Sequence, residues 1–137
     1  MELILVLPVF AFLMFLLMEI CNICFQAVFA THVAFECAHG AALAEGPSNH
    51  GSGGGGGQSK ANDVLAQLLP STSASVTVSK ESTGSDPQTG QPTADLKVTL
   101  RWPVNFLFPG LKTILKTGGL DVLKITVPMS VEYPAYG

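Results

Sequence analysis

A chain of 137 residues has room for one modest globular domain, and this one is 47 % hydrophobic and only 12 % charged, about half the usual charged share. Its formal net charge is −3, and no Lys or Arg occurs before Lys60. That distribution excludes the clustered basic face on which nucleic-acid binding depends, so no nucleic-acid partner is expected.

The first predicted element is a helix of unusual length. Glu2 is followed by sixteen uncharged residues, 3–18, whose apolar character only Pro8 interrupts. Beyond Glu19 the apolar bias continues with scattered polar residues to about Ala44. At about 1.5 Å per residue such a helix reaches ~65 Å, twice the hydrocarbon thickness of a bilayer. The first half is therefore expected to lie in lipid, or in a bundle of its own copies, while the second half projects. Pro8 removes one helical hydrogen bond and favours a kink, which a membrane tolerates when neighbours compensate.

The missing cation bears on targeting, because an anchor or signal peptide normally carries Lys or Arg on its cytoplasmic flank. The expectation is a mature chain from which a short basic leader has been removed; an uncleaved anchor with a weak topology signal is the alternative. Glu2 and Glu19 bracket the apolar run without a cationic side chain on the same segment. A carboxylate inside lipid costs several kcal/mol unless it reaches an interface or meets a positive group. For Glu2 that group would be the α-amine of a neighbouring subunit; for Glu19 the far membrane interface suffices.

In the projecting half, Ala27, Ala30, Ala34, Cys37, Ala41 and Ala44 recur at alternating spacings of three and four. That is a line of small residues along one helix face, suited to close approach of another helix. Packing of the same line against the chain's own head is the equal alternative. Cys21 and Cys24 form a C-x-x-C within an apolar helix and lack a second ligand pair, so they read as small buried hydrophobes. His32, Glu36 and His39 share one face at i, i+4 and i+7, which zinc or a pH-sensitive cluster would use. Nothing nearby completes such a site, and a solvated polar stripe opposite the alanine line is the expected explanation, so no metal site is expected. No nucleophile–base pair has a local signature, so neither catalysis nor a cofactor is expected.

Gly46 and Pro47 are the expected end of the helix. Residues 46–59, with five consecutive glycines, read as a flexible linker, because no strand precedes them and no Gly-Lys-Ser/Thr follows. Residues 60–69 then predict a short helix that buries Val64, Leu65, Leu68 and Leu69. From there the period changes to two. Ala74, Val76 and Val78 alternate with polar neighbours, as do Leu96, Val98, Leu100 and Trp102, and finally Leu123 through Tyr133. Clean alternation predicts strands with one covered and one wet face. A long polar turn (79–92) joins the first two strands. Between the second and third lies an apolar bulge, Phe106, Leu107 and Phe108, with a turn or two of helix around Leu111, Ile114 and Leu115. The fold class is therefore α+β. A long N-terminal helix (residues 1–45) and a linker (46–59) lead to a head (60–137) whose three-stranded antiparallel sheet packs on the projecting half of the helix.

Glu2-Leu3-Ile4-Leu5-Val6-Leu7-Pro8, the Leu/Phe run and then Glu19 together resemble the N-terminus of TadE-like pseudopilins. In that family a glutamate, a Leu-Val-Leu-Pro segment and an apolar stretch precede a second acid about eleven residues past the proline. Glu2, Pro8 and Glu19 match residue by residue, and residues 34–44 and 125–132 are similar to the family's alanine-rich and terminal segments. Asn22, His39 and Leu43 stand near places where the family usually has arginine. The resemblance implies a pilin-like structural subunit of a type IVb (tight adherence) pilus, either minor or main. It would be held in a bacterial inner membrane before assembly and would then join an extracellular filament. Its partners would be copies or relatives packed through the helix, and the pilus assembly machinery. The contrasting reading is a single-pass membrane protein whose head binds a partner without polymerising.

Overall fold

The computed structural model describes residues 1–44, 56–71, 73–85, 87–88 and 92–131. Helix α1 (Glu2–Ala44) runs unbroken for 43 residues and carries Pro8 within it. Its Leu, Met and Ala content favours helix, and Pro8 lies close enough to the start that the helix continues past it. Helix α2 (Gly56–Leu68) follows, then strands β1 (Ser75–Ser85) and β2 (Pro92–Pro103), helix α3 (Pro109–Thr117) and strand β3 (Val122–Val131). The strands form one antiparallel meander with β2 in the centre. The chain is thus α+β, a long N-terminal helix with a three-stranded antiparallel sheet, as the alternation predicts.

The sheet's two faces differ as expected. Leu96, Val98 and Leu100 of β2 are fully buried, flanked by Val76 of β1 and by partly buried Leu123, Ile125, Val127 and Met129 of β3. Against them lie α1, over β2 and β3, and α2, over β1. The opposite face carries Thr99 and Thr126 in contact across the strands and the exposed Lys97–Glu81 pair at 2.6 Å. Lys97's hydrogen bond and charge hold the Glu81 carboxyl below its ordinary range, but a pair this open to water adds little stability.

Two boundaries and one burial differ from the sequence expectation. Residues 56–59 belong to α2 and not to a linker, because the start of that helix is tied to the sheet. Gln58 Nε2 donates to the Val76 carbonyl at 2.9 Å, and the Val78 N–H donates to Gln58 Oε1 at 2.7 Å. One side-chain amide thus stands in for a missing strand on the open edge of β1, the kind of edge that otherwise invites another chain. On the other edge, Pro128 of β3 removes a donor. The polar segment 79–92 is mostly strand: residues 80–85 pair with 92–96 across a bulge between Ser82 and Gly84. Backbone ladders do not require an apolar face, so alternation missed this extension. Leu68, the last residue of α2, stays 43 % exposed because the chain turns there at Pro70. Gly46, Pro47, the first glycines of the run, Glu132 and Tyr133 lie outside the described residues.

Where α1 and α2 cross, Gly40 sets their separation. A Cβ at this position would lie 3.1 Å from Val64 Cγ2. Gly40→Leu should therefore force the helices apart and cost about 1–3 kcal/mol, an overpacking penalty read as a lower thermal midpoint. An unchanged midpoint would mean that the crossing is looser than this contact.

Candidate functional site

Helix α1 divides at Glu19. Every residue from 1 to 18 is exposed, whereas the inner face above Glu19 forms part of the head's core. Glu2 is exposed, its carboxylate has no hydrogen-bond or ion-pair partner among the described residues, and it stands with Pro8 on the bare segment. Among the described residues α1 is the one helix long and apolar enough to cross a membrane. A soluble protein's core helix and an N-terminal signal sequence pass the same test of length and composition; only 6 % of this apolar window is covered by protein, which is unlike a core helix.

The alanine line faces the chain's own head. Ala30, Ala34, Cys37 and Ala41 are fully buried against the sheet and α2, and Ala27 and Ala44 are half-buried at its ends. Val33 and Ala38 are buried beside them, because α1 is covered from two directions, by the sheet and by α2. Small side chains let the helix axis approach both layers, the same physics that would serve a second helix. Trp102 closes the core with its ring edge-to-face on Phe29, centroids 5.8 Å apart. Burial and the neighbouring Glu36 carboxylate push the Cys37 thiol up, which keeps it in its neutral form. Cys21 and Cys24 are exposed and not buried as expected, because they lie off the inner face that carries Glu19, Asn22 and Gln26; His32 and His39 are exposed, and Glu36 is half-buried. Among the described residues no group of three His, Cys, Asp or Glu is placed to hold a metal ion.

At the junction between bare and covered helix lies a polar clasp that the sequence reading did not identify. Glu19, Asn22 and Gln26 fall at i, i+3 and i+7 and continue the inner face downward. Both Glu19 carboxylate oxygens accept the Leu107 N–H, each at 3.2 Å, and the residue is 1 % exposed. Asn22 Nδ2 donates to the Asn105 carbonyl at 2.9 Å. Gln26 Nε2 donates to the same carbonyl at 2.6 Å, while the Asn105 N–H donates to Gln26 Oε1 at 2.9 Å. Beyond β2 the chain leaves the ladder, so these backbone groups need side-chain partners. One turn below, Phe15 meets Phe108 edge-on at 5.2 Å. The expected apolar bulge is therefore the base of the head, pinned to α1. Three polar residues at helical spacing in an apolar helix were the available signal. Gln26→Leu should cost about 1–2 kcal/mol and speed amide exchange at Asn105, since two hydrogen bonds go. Unaltered exchange there would contradict the clasp.

Comparison with family models, with curated proteins and with solved structures finds no match to this chain. Functional inference therefore rests on the residues and their placement.

Proposed function

We propose that this chain is a pilin-like structural subunit, anchored in a bilayer through residues 3–18 of α1 and assembled into a surface filament through the same helix. The observation that carries the reading is the outer face of α1. Its bare apolar segment does not end at Glu19 but continues up the side away from the head as Phe25, Val28, Phe35 and Leu43, 71 %, 72 %, 53 % and 69 % exposed. A single-pass anchor needs the first segment only; an apolar stripe running on past it suits lateral packing of further helices. His32, Glu36 and His39 share that stripe and would give such contacts polar character.

Transfer from lipid to a bundle of like helices changes little in hydrophobic burial, so shape and a few polar groups decide the association. Glu2 is the charge placed to do so, by meeting a neighbour's positive group within the bundle. Glu2→Lys should reduce filament number at least about tenfold, the loss of one buried ion pair, while leaving the head's thermal midpoint unchanged. Filaments in normal number would remove Glu2 from the assembly mechanism and favour the non-polymerising anchor.

A further inference from the structure

We propose that residues 107–120, with α3 at their centre, lie in the headgroup layer of an anionic membrane and seat the head on the bilayer surface. The inference rests on the anchored stage of the reading above.

Three features of this segment combine. The first is height. Sixteen uncharged residues span ~24 Å, about 6 Å short of a ~30 Å hydrocarbon core. The missing depth falls at residues 19–22 of α1, where Glu19 and Asn22 are covered by the loop ahead of α3. The Phe15–Phe108 contact places that loop beside the top of the span.

The second feature is exposure. No residue of α3 is buried, and Leu107, Ile114 and Leu120 are 57 %, 71 % and 63 % exposed around it. The third is charge. Around the helix Leu111, Ile114 and Leu115 share one side, and Lys112 and Lys116 stand together on the next. An apolar face bordered by lysines is the pattern of a helix that lies in the interface plane and meets anionic headgroups. They stand in a chain that has no Lys or Arg before Lys60, so helix α1 itself supplies none.

The local structure is built to hold this short helix without core packing. Pro109 opens it, and a C-terminal motif closes it: the Leu120 N–H donates to the Leu115 carbonyl at 3.0 Å and the Gly119 N–H to the Lys116 carbonyl at 3.1 Å. Gly119, at φ +73°, supplies the left-handed residue that this ending requires. The Val104 N–H donates to the Asp121 carbonyl at 3.0 Å and closes the excursion at its base.

The test uses the full chain in vesicles of phosphatidylcholine and phosphatidylglycerol brominated high on the acyl chain, with Trp102 emission in the unaltered protein as baseline. Ile114→Trp should add emission of which about half or more is quenched, as befits a side chain just below the headgroups. Phe12→Trp, within the span, is the control for anchoring. Adding Lys112→Glu and Lys116→Glu to Ile114→Trp should lower seating about 30-fold, roughly fivefold for each lysine removed. Quenching of Phe12→Trp without quenching of Ile114→Trp overturns the inference and leaves the anchor standing. Quenching of neither overturns the anchored stage as well. Ile114→Trp emission that shifts to the blue with rising protein-to-lipid ratio, unquenched, assigns this face to a second copy and also overturns the inference.

Discussion

Replacing Ala34 with phenylalanine is expected to be among the most damaging single changes in the head. Ala34 is fully buried where α1 meets the sheet and α2, among Ala30, Cys37, Ala38 and Ala41. Their small size sets how near the helix lies to both layers, and close-packed interiors have no slack for a ring. The cost is about 3 kcal/mol, the upper end of overpacking penalties. For a head of this size that lowers the thermal midpoint by roughly 10–20 °C. Phe25→Ala, on the opposite and exposed side of the same helix, should shift it little. The comparison separates the two uses of the alanine line. If that line served contacts between subunits alone, Ala34→Phe would spare the midpoint and block only assembly.

The second large effect concerns the bare segment. Leu13→Lys places a cation near the middle of the apolar run, at a cost of about 3–4 kcal/mol for insertion once the lost leucine is included. That corresponds to more than about a hundredfold loss of membrane retention, since 1.4 kcal/mol is tenfold. Alkaline extraction of membranes should release the variant and retain the parent chain. Because residue 13 is exposed and lies below the clasp, the head of the released variant should keep its thermal midpoint. Full retention of Leu13→Lys in the membrane pellet would show that residues 3–18 do not act by crossing lipid.

Much of this arrangement could be read from the chain. Residues 3–18 announce a bare helix because nothing polar within them could face water. The alternation at Leu96, Val98 and Leu100 gives the central strand, and its two neighbours follow from the same period. The line from Ala30 to Ala41 was legible as a packing face, but periodicity marks a face without naming what covers it. Here the occupant is the chain's own sheet, brought to α1 by contacts 79 to 88 residues apart in sequence, such as those of Gln26 and Glu19 with Asn105 and Leu107.

The two glutamine clasps were illegible for the same reason. Gln26 and Gln58 are ordinary polar residues until the fold sets an unpaired backbone amide opposite each of them. Hydrogen bonding of this kind is decided by tertiary geometry and leaves only a faint mark in sequence, such as the spacing of Glu19, Asn22 and Gln26. The hairpin extension at 80–85 was missed for a related reason. Its stability comes from a backbone ladder with β2, to which side-chain polarity is indifferent.

The central proposal is that a helix bare below Glu19, with Phe25, Val28, Phe35 and Leu43 exposed beside His32 and His39 on its outer face above it, packs against copies or relatives of itself. Electron microscopy of the sheared cell-surface fraction, combined with peptide and N-terminal sequencing of the protein recovered there, tests this most directly. The account predicts filaments that contain this chain, with residues 3–18 in a central helix bundle and the heads outside. Recovery of the chain solely as a monomer in the membrane pellet, with no filament containing it, would contradict the account.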